Sequence, residues 1–199
     1  MMEIRPVTLL GSIVRLEPLS LEHVPGLFTS SDPRLWKFML YGEISSEKDM
    51  ACWVKDMLQR AETGADLPFA VIRLASGNAI GATRYLEIRP QHNGLEIGGT
   101  WYGLDYQRTG VNTECKYLLL KHAFENLGCI RVQFKSDSRN EKSIAAIKRL
   151  GAKPEGILRN HMILGDGTFR HSAYFSILMD EWPEVKKLLE EKLGFHKPG

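Results

Sequence analysis

The ten residues Asp105-Tyr106-Gln107-Arg108-Thr109-Gly110-Val111-Asn112-Thr113-Glu114 join an apolar, strand-like run, Leu95 to Leu104, to a helix-like run, Thr113 to Leu127. A turn that passes from strand to helix exposes backbone N–H groups without helical partners, with the positive end of the helix dipole behind them. Such a cradle suits phosphate. The chain has neither the G-x-x-x-x-G-K-[ST] loop of nucleotidases nor the G-x-G-x-x-G dinucleotide fingerprint. Two side chains suit proton transfer. Glu96 is a charge in a strand that otherwise reads as buried, and a carboxylate there can take a proton directly or through water. Its plainer reading is a structural partner for Arg84 or Arg159. His161 has an ordinary pKa near neutrality, although a lone strand histidine is more often a packed or surface residue.

The elements around these residues follow from periodicity and turn chemistry. Ile13 to Leu19 alternates and stops at Pro18, as a first strand would. Leu21 to Thr29 reads as a helix with Ser20 as N-cap, and Ser45 or Ser46 can cap a second one. In that helix Met50, Trp53, Val54, Met57 and Leu58 recur at helical spacing. Strands are expected over Pro68–Leu74, Ile80–Ile88 and Leu95–Leu104, the last interrupted by Gly98-Gly99. Mid-strand glycines often mark a bulge or a close backbone approach. Gly128 can end the Thr113–Leu127 helix. Ile130–Lys135 alternates as a strand, 140–150 is a short helix, and Gly165-Asp166-Gly167-Thr168 is a hairpin signal between Gly156–Leu164 and Phe169–Leu178. Asp180 can cap a final helix, with Pro183 in its first turn. The order is strand, two helices, three strands, helix, strand, helix, two strands, an α/β arrangement with a mixed sheet.

Three segments together resemble one family. Gln107 and Gly110 match the Q/R-x-x-G-x-G/A segment with which GNAT acetyltransferases hold the coenzyme A pyrophosphate; Asn112 stands where the last Gly or Ala is usual. Asn140-Glu141-Lys142-Ser143, then a short helix ending in Leu150-Gly151, resembles the N-x-x-S branch that includes ribosomal-protein N-terminal acetyltransferases. Ser31-Asp32-Pro33-Arg34-Leu35-Trp36-Lys37-Phe38-Met39 resembles that branch's S-D-P-x-x-W-x-x-M segment. The resemblance covers most of residues 12–180. It implies one acyl-CoA N-acyltransferase domain over 1–199, with 180–194 a C-terminal docking helix. The implied fold is a GNAT-like α/β one, a mixed, mostly antiparallel twisted sheet of about seven strands flanked by helices.

The resemblance also implies chemistry: acetyl-CoA as cosubstrate and direct transfer, in a ternary complex, to a primary amine. The amine could be a peptide or protein N-terminus or a small molecule. Main-chain amides of Arg108, Thr109, Gly110, Val111, Asn112 and Thr113 would hold the phosphates, Gln107 would belong to the same cofactor-binding segment, Trp101 and Tyr102 would border the pantetheine arm, and Asn140 would contact its amides. Asn140 is equally a good N-cap, and both jobs can coexist. Glu96 would be the base, with His161 behind it on the substrate side. Many members use a tyrosine to protonate the leaving thiolate; that position here is Ile147, which leaves Ser143 as the hydrogen-bond donor. Trp36, Phe38 and Tyr41 would shape the acceptor site, or else pack in the core. Two other functions remain open: an acyl-CoA binding module without catalysis, and a transferase of a longer acyl group.

Bulk properties set outer bounds. At 199 residues, 43% hydrophobic and 25% charged, the chain is ordinary for one soluble domain. A net charge of +2 gives no argument for nucleic acid or an anionic membrane, and no run reaches the length of a membrane span. Cys52, Cys115 and Cys129 show no metal or disulfide spacing, so no metal cofactor and a reducing cytoplasm are expected, and Cys115 and Cys129, in or beside apolar runs, read as buried thiols. A homodimer is left open.

Overall fold

The computed structural model describes residues 2–164 and 167–195. Eight strands form one sheet: β1 (Leu9–Leu10), β2 (Val14–Pro18), β3 (Leu67–Arg73), β4 (Ala79–Arg89), β5 (Gly94–Tyr102), β6 (Arg131–Asp137), β7 (Lys153–Ile163) and β8 (Phe169–Leu178). Their spatial order is β1-β2-β3-β4-β5-β6-β8-β7. All neighbours are antiparallel except β5 and β6. The strand beyond the expected seven is β1. Two residues are too short to leave an alternation in the sequence.

Among the described residues five α-helices flank the sheet: α1 (Val24–Ser30), α2 (Glu47–Glu62), α3 (Gly110–Lys121), α4 (Glu141–Arg149) and α5 (Trp182–Leu193). One sheet face buries Tyr85, Leu95, Ile97, Val132, Phe134, Phe175 and Ile177 with Leu119 of α3 and Leu189 of α5. The other buries Ala70, Ile72, Ala82 and Trp101 with Leu27 of α1 and Met50, Val54 and Met57 of α2. Each such side chain taken fully out of water stabilises by about 1.5–3 kcal/mol before the entropy of ordering is subtracted.

Several boundaries differ from expectation. Helix α3 begins at Gly110, because Thr109 in extended conformation caps it through its hydroxyl, which accepts from the Val111 N–H. The helix ends at Lys121 and runs on as a π-turn, His122–Asn126, before Gly128 turns the chain at positive φ. Asp180 does not cap α5. Glu181 holds the N-cap position, its carboxylate accepting from Leu178 N and pairing with Lys153 at 2.6 Å. Helix α5 docks on α3, where the Tyr117 hydroxyl donates to Glu190 at 2.8 Å. Of the expected hairpin turn, Gly165 and Asp166 lie outside the described residues, and Leu164 N donates to Thr168 O across it. Cys115 and Cys129 are buried, and burial pushes both thiols up to about 12. Cys52 is exposed, on the outer side of α2. Among the described residues no helix is long and apolar enough to cross a membrane.

Candidate active site

The site begins where two strands part. β5 and β6 pair only from Gly94↔Arg131 to Glu96↔Gln133. Beyond that point β5 stays with β4 and β6 with β8, so their facing edges have no ladder partner. A bulge sits at the parting. The β4–β5 register shifts between Ala82 and Arg84, and Gly99 has φ +56. A Cβ there would lie 3.0 Å from Arg84 Nε. The extra residue reverses the alternation of β5. Before it, Leu95 and Ile97 enter the α3-side core; after it, Tyr102 does so, while Trp101 joins the α2-side core.

Past β5 the chain reaches the start of α3. Arg108 takes the left-handed conformation, φ 60, and carries the turn. The Gln107 side-chain amide donates to the Tyr102 carbonyl at 3.3 Å, bracing the loop against the end of β5. The N–H groups of Gly110 and Asn112 precede the first helical acceptor. Asn112 lies inside the helix. Gly110 gives Ile13 room: a Cβ there would lie 2.8 Å from Ile13 Cδ1, and the Ile13 side chain would have to turn aside. One helical turn on, Glu114 is fully buried and accepts from the backbone N–H groups of Ser12, Ile13 and Val14 and from the Ser12 hydroxyl, at 2.6–2.8 Å. That carboxylate ties the start of β2 to the start of α3.

Glu96 is 1% exposed. It pairs with neither Arg84 nor Arg159. Arg84 is held by Asp66 at 3.3 Å, by the Met57 thioether and over the Tyr41 ring. Instead Gln133 donates to Glu96 Oε2 at 3.1 Å and Lys135 Nζ lies 3.4 Å from Oε1, because cross-strand neighbours on β6 share its face. Burial raises the Glu96 pKa, against the pull of Lys135 and Gln133. His161 is on the same side of the β7–β8 hairpin. Its Nδ1 is 3.0 Å from Ser172 Oγ, its ring stands edge-on to Tyr174, and burial with nearby Lys135 and Arg170 lowers its pKa.

At the end of β6 the chain turns into α4. Asn140 caps that helix, its carboxamide oxygen accepting from Ser143 N at 3.1 Å. The Ser143 side chain is partly buried and makes no hydrogen bond among the described residues, while Ile147 is in the core. Trp36 is buried, with ring centroids 5.3 Å from Trp101 and 6.2 Å from Trp53; Tyr41 stands edge-on to Trp53. Packing is therefore a real job of both residues.

Sequence reasoning missed four polar residues. Gln133, Lys135 and Arg170 share the Glu96 face. Lys116, on the opposite face, is buried beneath α3, with Nζ 2.6 Å from Thr100 Oγ1. Strand alternation held the signal for the first three: polar residues alternate with apolar ones in β6 and β8, which reads as a solvated face. Here that face is buried.

A family profile described as an acetyltransferase (GNAT) domain matches residues 14–153. Among curated relatives, YdaF of Bacillus subtilis (strain 168), provisionally named a ribosomal N-acetyltransferase, is 27% identical over 86% of this chain and 92% of its own length. A solved GCN5-related N-acetyltransferase from Brucella melitensis is 29% identical, with TM-score 0.89 over 94% of this chain and 86% of that one. Mycobacterium smegmatis RimJ, solved with CoA-disulfide, is 18% identical with TM-score 0.80 over 95% of each chain, a likeness of fold.

Proposed function

The chain belongs to the GNAT acetyltransferase family, and on that premise we propose that it moves the acetyl group of acetyl-CoA directly to a primary amine, in a ternary complex, within a single domain spanning 1–199. The observation that carries this is the parting of the parallel strands β5 and β6 after Glu96 and Gln133, with the capped start of α3 following the C-terminal end of β5 and that of α4 following the C-terminal end of β6. A thioester arm passing between the strands would have unpaired backbone N–H groups for its carbonyl oxygen.

Each part of the site then has a job. The 108–113 segment binds the pyrophosphate: the Gly110 and Asn112 N–H groups and the helix dipole face it, Arg108, Thr109, Val111 and Thr113 shape the turn around it, and Gln107 holds the loop in place. Trp101 and Tyr102 border the arm through their main chain. Asn140 keeps a side-chain NH₂ for the arm while its oxygen caps α4. Glu96 takes the proton lost by the attacking amine. A pKa raised by burial makes it a better base near neutral pH than an ordinary carboxylate. The amine nitrogen bonds to the thioester carbon, the C–S bond breaks, and the Ser143 hydroxyl donates a hydrogen bond to the leaving sulfur. Trp36, Tyr41 and His161 border the acceptor. YdaF's provisional name, a ribosomal N-acetyltransferase, supports an amine of a ribosomal component among the acceptors.

Thiol release from acetyl-CoA, followed over a panel of peptides, amino acids and polyamines, tests this. Amine-dependent release with an acetylated product is expected. CoA binding without release on any amine would leave a silent binding module in its place.

A further inference from the structure

Arg170 stands near the start of β8, opposite Met162 of β7, and is 6% exposed. Its alternation along β8 puts it on the face of Ser172 and Tyr174, which pair with Asp137 and Lys135. That is the Glu96 face, at the end of β6 beyond the parting from β5. The Arg170 Nε is buried without an acceptor, and among the described residues no hydrogen bond or ion pair engages the guanidinium. The acids around it are already matched. Both oxygens of Asp137 accept from Arg139, at 2.8–3.0 Å. Glu96 has Lys135 and Gln133. Arg170 is therefore a surplus positive charge held out of water, an arrangement that is unfavourable until an anion meets it. Burial dominates its electrostatics: its pKa is lowered although Asp137 and Glu96 lie within reach.

We infer that Arg170 is the receptor for a carboxylate carried by the acceptor close to its amine. The planar guanidinium offers two parallel N–H donors, which match a carboxylate and no neutral group of similar size. With Glu96 on the same face, such an acceptor would be held at both ends, its anion on Arg170 and its amine towards Glu96. The acceptor class is then a free amino acid, through its α-carboxylate, or a peptide with an acidic first residue, through its side chain. This rests on the acetyltransferase reading of the same site.

The test uses matched acceptors: an amino acid against its amide, and a peptide beginning with Asp against the same peptide beginning with Asn. Thiol release gives KM for each. The carboxylate member of at least one pair should have a KM lower by ~10-fold or more, and which pair responds separates the two sources. Arg170→Gln should raise that KM to the value of the neutral member and leave the KM for acetyl-CoA unchanged. Arg170→Lys should restore part of the difference. Equal KM values within both pairs, or an equal loss on both members in Arg170→Gln, would overturn the inference while leaving acetyl transfer in place. If no amine releases thiol, the acetyltransferase reading fails, and thermal shift still decides on Arg170. The amino acid, and not its amide, should then raise the Tm of the wild type but not of Arg170→Gln; no such difference overturns the inference.

Discussion

Glu96 and Trp101 stand on the same face of β5 although an odd number of positions separates them, because the bulge at Gly99 reverses the strand's alternation between them. A regular strand would send one of the two to the α3 side. The bulge thus puts a buried carboxylate and an aromatic wall on one side of the sheet, at the point where β5 leaves β6. Gly99→Ala should cost about 1–2 kcal/mol from the left-handed φ alone, and its Cβ must also displace Arg84. Denaturant unfolding should show that loss, and turnover should fall further than the lost stability explains.

Glu96→Gln removes the proposed base and also strands a buried ammonium. Lys135 has a side chain 8% exposed, so losing its partner should destabilise by a few kcal/mol. Glu96→Gln with Lys135→Gln should recover much of that stability. Turnover should stay low in both variants, and the rise of kcat with pH through the raised Glu96 pKa should vanish. Recovery of turnover along with stability would make Glu96 structural.

Gly110→Val should raise the KM for acetyl-CoA through crowding against Ile13 rather than through a forbidden backbone. Adding Ile13→Ala should therefore restore most of the binding. A double variant as impaired as the single one would place the fault elsewhere in the loop.

Lys116 gives a pH dependence of stability. Burial lowers its pKa from the usual 10.5 to about 8. Below about pH 8 folded and unfolded chains both carry the charge, and the burial penalty is fully present. Between about 8 and 10.5 only the unfolded chain keeps the proton, so this group's contribution makes stability rise with pH, by at most ~1.4 kcal/mol per unit. Lys116→Met should be more stable than wild type at pH 7 and should lose that rise. Thr83 and Thr100 can still bond each other at 2.8 Å. A variant less stable at every pH would mean that the ammonium's hydrogen bonds outweigh its desolvation.

Asn140→Ala separates cap from cofactor contact. A lost cap costs about 1 kcal/mol of stability. A lost contact raises the KM for acetyl-CoA, and both effects are expected because oxygen and nitrogen of one side chain do the two jobs. Ser143→Ala should lower kcat by roughly tenfold to a hundredfold, about 1.4–2.7 kcal/mol, with stability unchanged. Unchanged kinetics would mean that the thiolate leaves with help from water alone.

Local sequence carried the elements and their order, because caps such as Ser46 and Asn140 and turns such as Gly128 act over a few residues. It also placed the bulge at Gly98-Gly99. It could not place partners. Glu96 was paired in expectation with Arg84 or Arg159, and it meets Lys135 and Gln133 because β5 lies beside β6, a neighbour set by the whole sheet order. Arg170 and Lys116 were passed over for the same reason. A strand arginine or a helix lysine reads as solvated until another element covers it.

The central claim is that coenzyme A threads the gap between β5 and β6 and presents its sulfur to the Glu96 face. A crystal structure with CoA measures this directly. The account predicts phosphate oxygens within hydrogen-bond distance of the 108–113 amides, the arm between the two strands, and the sulfur beside Ser143. Phosphates held elsewhere, or an arm lying outside the gap, would contradict it.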